Sequence, residues 1–114
     1  MFDFKITKIQ KLKEVNCDMC HNFYFLVHFR LYNSDNTRYK KGKFVVCFDA
    51  FDVQEYFEQD YYTIDNVKTL ACEFAYANLE AYYKSYDNTE ELYEFCKQTI
   101  QDYNETNHNV NGNW

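Results

Sequence analysis

The stretch NFYFLVHFRLY, Asn22 to Tyr32, decides the fold. Phe23, Phe25, Val27, Phe29 and Leu31 take alternate positions and line one face. Tyr24, Leu26, His28, Arg30 and Tyr32 line the other. A period of two is that of a strand. One wholly apolar face opposite a mixed one predicts a sheet covered on one side. Toward the N-terminus, Phe2, Phe4 and Ile6 alternate with Asp3, Lys5 and Thr7, and the alternation slips near Lys8–Ile9, where a bulge or a strand end is expected. In the other direction, Asn33-Ser34-Asp35-Asn36-Thr37 is a polar turn. A third strand follows from about Lys40 to Phe48, with Gly42 expected at a bulge or kink. Three strands joined by short turns predict an antiparallel meander.

Beyond the third strand the period changes to that of a helix. Asp49 or Asp52 caps a short helix through about Glu58, with Phe51, Tyr56 and Phe57 expected inward. Thr63 or Asp65 starts a long helix to about Tyr86, with Val67, Leu70, Ala71, Phe74, Ala77 and Ala81 as its inward stripe. Asn88 or Thr89 starts a third, whose inward residues are Leu92, Phe95, Cys96, Thr99, Ile100 and Tyr103. Strands first and helices after predict an α+β fold: an N-terminal three-stranded antiparallel sheet, then two to three helices packed on one face. A single domain over 1–104 and a disordered, Asn-rich tail over 105–114 are expected.

Composition bounds what such a domain can be. The 114 residues include 12 Tyr and 11 Phe but no Pro and only 2 Gly, which favours regular elements around an aromatic core. Met1 to Lys13 holds no apolar signal-peptide segment, and no stretch approaches a membrane span. Five Cys without a secretory signal are expected as reduced thiols in a cytoplasmic compartment.

The formal net charge of −6 conceals a division. Residues 1–43 sum to +5 and residues 44–114 to −11. Such asymmetry suggests a charged partner more than a reaction. On the long helix, Glu73, Glu80 and Asp87 recur at intervals of seven, with Tyr76 and Tyr83 between them. Spacings of three and four put all five on one stripe. At about 1.5 Å of rise per residue, successive carboxylates stand about 10.5 Å apart. Acids of the flanking helices, Glu55, Glu58 and Asp60 on one side and Glu90, Glu91 and Glu94 on the other, can fill the intervals. Solvated helix faces are charged as a rule, but they usually mix both signs. From Phe44 onward only Lys68, Lys84 and Lys97 are basic, and uncompensated like charge is destabilising. A basic partner covering the acids would account for the excess.

The strand half is basic. Lys5, Lys8, Lys11, Lys13, Arg30, Arg38, Lys40, Lys41 and Lys43 lie on or beside strands, with Tyr24, His28, Arg30 and Tyr32 sharing one face. Strand lysines commonly protect sheet edges. Aromatics interleaved with cations also suit single-stranded nucleic acid, although no RNP-type motif is present and the overall negative charge makes nucleic acid the less favoured partner. Attraction between the basic sheet and the acidic helices of another copy would give a head-to-tail homo-oligomer.

Cys17-Asp18-Met19-Cys20-His21 matches the C-x-x-C-H pattern of haem c attachment. The segment lacks the export signal which that chemistry requires, and it reads as a turn between strands. Cys17, Cys20 and His21 are weak metal candidates, with His28 or Cys47 to complete a zinc site; without a second C-x-x-C, two turn thiols and no cofactor is the simpler expectation. Redox chemistry of the thioredoxin kind needs the pair at a helix N-terminus, which is not expected here. Cys47, Cys72 and Cys96 are expected in the core. There is no Gly-rich phosphate loop and no nucleophile elbow, and His21, His28 and His108 have no spacing of a base and its orienter, so no enzyme activity is expected.

A short, acidic, Tyr- and Asn-rich chain without a catalytic motif resembles the small phage-encoded anti-defence proteins of the anti-CRISPR type. The resemblance is one of size and composition and transfers no residues. It implies a non-catalytic protein inhibitor that binds a basic nucleic-acid-binding surface of a host nuclease, such as a CRISPR effector, with acids in place of phosphates. The partner-binding candidates are Glu73, Tyr76, Glu80, Tyr83, Asp87, Glu90, Glu91 and Glu94. The alternatives are an immunity protein or antitoxin for a basic toxin nuclease, and a small nucleic-acid-binding protein using the basic sheet.

Overall fold

The computed structural model describes residues 3–17, 20–33, 35, 37–85 and 89–107, with side chains described outside 13–20, 82–89 and 106–107. Strands β1 (Asp3–Cys17), β2 (Cys20–Tyr32) and β3 (Tyr39–Asp49) form one antiparallel sheet in the order β1-β2-β3. Helices α1 (Ala50–Phe57), α2 (Ile64–Ser85) and α3 (Thr89–Asn107) follow, which is the α+β arrangement expected from the change of period. Among the described residues, no helix is long and apolar enough to cross a membrane.

Two register irregularities shape β1, one between Ile6 and Lys8 and one between Lys11 and Glu14. The first leaves Thr7 as an extra residue. Phe4, Ile6 and then Ile9 therefore all pack on the apolar side, although Ile9 is an odd number of residues from Ile6. The strand continues to Cys17, well past this slip. Gly42 is neither bulged nor kinked; it pairs in register with Phe29. Its role is steric, since a Cβ there would collide with the ring carbons of Phe29, which is itself buried and has little room to move.

The β2–β3 turn is tied by side chains. Asn33 Oδ1 accepts from the Thr37 and Arg38 amides, and Asp35 Oδ1 from the amide and hydroxyl of Thr37. Asp49 and Asp52 make a reciprocal capping box on α1. Thr63 and Asn66 do the same at the start of α2, so Thr63 is the cap. Glu58 closes α1 in the left-handed region at φ 53°. α3 continues through Glu105 to Asn107, so the expected tail begins as helix; 108–114 lie outside the described residues.

The main core joins Phe23, Phe25, Val27 and Phe29 of β2 and Phe44, Val46 and Phe48 of β3 to Val53, Val67, Leu70, Ala71, Ala75, Leu79, Leu92, Tyr93 and Cys96 of the helices. Phe25 and Phe48 stack with ring centroids 5.9 Å apart. Four residues expected inward, two on α1 and two on α2, are exposed. Phe51 (66% exposed) and Tyr56 (52%) face solvent, and the two-turn α1 buries Val53 instead. On α2, steps of four from Ala71 lead to Ala75 and Leu79, while Ala77 and Ala81 are exposed. On α3 the expected stripe holds, with Phe95 packed half-buried against the core and Thr99 half-buried at the sheet edge, and Tyr93 joins it.

α3 is positioned by β3. The free edge of β3 directs the Val45 N–H away from β2, and the Thr99 hydroxyl accepts it at 3.0 Å while donating to the Cys96 carbonyl at 2.8 Å. From this edge the helix reaches both sides of the sheet. Leu92, Tyr93 and Cys96 join the main core, and Ile100 and Tyr103 pack with Leu26 and Val45, beside Leu12 and Tyr24, on the opposite face.

Candidate interaction surface

Glu73, Tyr76 and Glu80 are exposed along α2, where spacings of three and four keep them on one stripe. Tyr76, at 45% exposure, leans toward Phe4 of β1 with ring centroids 6.0 Å apart. The Tyr83 side chain and Asp87 lie outside the described residues. Glu90, Glu91 and Glu94 are exposed on α3, and Lys97 approaches Glu94 at 4.0 Å in an exposed pair. Such a pair at the surface contributes little, on the order of 0.3–0.5 kcal/mol. Glu55, Glu58 and Asp60 line a shallow depression with the exposed ring of Phe51. The candidate acids thus stand exposed in two groups, one per long helix.

The outer face of the sheet has the opposite sign. Its register brings Lys5, Arg30 and Lys41 into one row across all three strands, and Lys8, His28 and Lys43 into the next. The extra residue at Thr7 makes this possible, because without it Lys5 and Lys8, three apart, would point to opposite faces. Beyond the first row, Tyr32 pairs with Tyr39, their rings 5.5 Å apart, and the Arg30 guanidinium stands 4.5 Å above the Tyr39 ring. Thr7, Lys8, His28, Arg30 and Lys41 line a recess of about 220 Å³. Burial, then Lys43 and Lys8, push the His28 imidazole below its ordinary pKa. Its Nε2 is buried and has no hydrogen-bond partner among the described residues. Lys40 lies out of phase with Lys41, and its ammonium sits 4.3 Å above the Tyr93 ring.

Alternation along β2 puts Tyr24, His28, Arg30 and Tyr32 on one face, but by itself it does not bring the lysines of β1 and β3 into their rows. Parity along β3 would have assigned Lys41 and Lys43. The β1 residues required the position of the bulge.

The zinc completion proposed from sequence does not fit the strands. His21 faces the apolar side, its ring centroid 4.5 Å from that of Phe23 and its Nδ1 2.9 Å from the Tyr62 hydroxyl. His28 and Cys47 belong to the outer face, and His28 is roughly 23 Å further along β2 at about 3.3 Å per residue. They cannot share an ion with His21. Cys17 and Cys20 pair across the first hairpin, with their side chains outside those described. Among the described residues no group of three or more His, Cys, Asp or Glu is placed to hold a metal ion. Cys96 is buried, which pushes its thiol up to about 12, but Cys47 and Cys72 are exposed rather than in the core.

No protein-family model, curated protein or solved structure matches this chain.

Proposed function

We propose that this chain is a non-catalytic inhibitor whose acidic helical layer engages the basic nucleic-acid-binding surface of a nuclease, a CRISPR effector being the leading candidate. The observation that carries the reading is the division of charge between layers. The rows of the outer sheet face gather Lys5, Lys8, Arg30, Lys41 and Lys43, while Glu73, Glu80, Glu90, Glu91 and Glu94 are exposed on the helices. A cationic groove built for phosphates would meet carboxylates on a rigid frame, with Tyr76 as an adjoining aromatic surface. Opposite fields accelerate encounter and make it sensitive to salt.

The test is cleavage of target DNA by purified, guide-loaded CRISPR effectors titrated with this chain. Stoichiometric inhibition is expected, weakened by salt and reduced at least tenfold in potency by Glu73→Lys/Glu80→Lys. Equal inhibition by that variant removes the acidic face from the mechanism. Inhibition of a toxin nuclease alone would transfer the reading to an immunity protein.

A further inference from the structure

We propose that the outer face of the sheet is a second binding surface, a platform for the backbone of single-stranded nucleic acid. It stands on the strand register and not on the helical acids, so it holds or fails independently of the inhibitor reading. Lys5–Arg30–Lys41 places three cations directly opposite one another across the strands, and Lys8 and Lys43 flank His28 in the next row, with no carboxylate in either row. Like charges placed in this way destabilise a sheet. Edge protection explains a lysine on β1; it does not explain Arg30 on the central strand, between two lysines.

The remaining contents of the face favour a nucleic acid over another anion. The recess lined by Lys8, His28, Arg30 and Lys41 is donor-rich, and the buried His28 Nε2 faces no protein partner among the described residues. In the row beyond Lys5–Arg30–Lys41, Asp3 pairs with Tyr32 and Tyr32 with Tyr39, so one carboxylate borders the platform beside two rings on which bases can stack, as in single-strand binding grooves. An acidic protein face would gain little from these rings. The platform is two strand spacings across, about 10 Å, a width suited to one strand.

The negative total charge is a weak objection. α2 lies on the other side of the sheet, its outward residues roughly 15 Å from the platform when a layer spacing and a helix radius are added. The Debye length at physiological salt is about 8 Å. The coverage by α3 ends where the platform starts, since Ile100 and Tyr103 cover Leu26 and Val45, the row beside Lys8–His28–Lys43.

Fluorescence anisotropy with labelled oligo-dT and oligo-U of about 20 nucleotides tests the proposal, with Lys5→Gln/Arg30→Gln/Lys41→Gln as the variant and thermal melting as the check on folding. The expected result is binding at 50 mM salt that weakens steeply by 200 mM. The triple variant should lose at least tenfold in affinity and flatten the slope of log K against log salt by about 2, at roughly 0.7 per phosphate contact. Its melting temperature should be unchanged or higher, which a structural role for the rows would not give. Glu73→Lys/Glu80→Lys should bind the oligonucleotide undiminished. Absence of binding to both probes at 50 mM salt overturns the proposal, as does equal binding by the triple variant. So does a homo-oligomer in sedimentation that the triple variant dissolves, which would make a second copy the occupant.

Discussion

Phe29 and Arg30 are neighbours on β2 and belong to two different surfaces. Phe29 is buried against Phe44, Tyr93 and the bare backbone of Gly42. Arg30 stands among Lys5, Lys41 and Tyr39 on a side that α1 and α2 leave uncovered. The apolar face was composed for stability, with aromatic rings filling the space between sheet and helices. The cationic face works against stability, because adjacent positive charges repel across each strand pair. Residues one apart on a strand can therefore serve folding and recognition separately.

Substitution at these neighbours should separate the two roles. Phe29→Ala leaves a cavity in the main core and should cost about 3–5 kcal/mol, read as a lower urea midpoint at unchanged m. Arg30→Ala should stay within about 0.5 kcal/mol of the parent. Similar losses at both positions would show that the outer face also holds the fold together.

A smaller effect is expected at the β3 edge. Thr99→Val removes the acceptor of the Val45 N–H, and leaving that largely buried donor unmet should cost about 1–3 kcal/mol. Faster hydrogen exchange at the Val45 amide would locate the loss at this contact. Unchanged exchange and stability would mean that α3 is held by its apolar contacts alone.

The smallest effect is one of pH. Because burial and the neighbouring lysines lower the His28 pKa from 6.5, the unfolded chain takes up this proton more readily than the folded one. Stability should fall as pH drops through and below about 6.5, and His28→Gln should remove that part of the decline. Identical pH profiles for the variant and the parent would exclude the link.

The fold was legible because its signals are periodic: alternation in β2, a polar turn at Asn33–Thr37, and helical spacing after Asp49. Aromatic size misled on α1, where Phe51 and Tyr56 were assigned inward by hydrophobicity although a two-turn helix offers the sheet only a narrow side. Ala77 and Ala81 misled because alanine suits either side of a helix. The exposed acids could be named from spacing, but the cationic rows could not. They depend on three strands aligning and on one unpaired residue, Thr7; the broken alternation marks a slip near Lys8–Ile9 but does not say which residue is extra or whether the strand ends there.

The contact between Thr99 and Val45 also governs how copies of this protein can join. Further chains pair with a sheet through an open rim, and α3 stands along one of the two. Among the described residues, β1 is the rim along which no helix stands in this way. Two molecules zipped β1 to β1 would exhaust both vacancies and end in a helix on either flank. Strand addition at β1 therefore favours closure as a dimer, with α3 standing at each far rim.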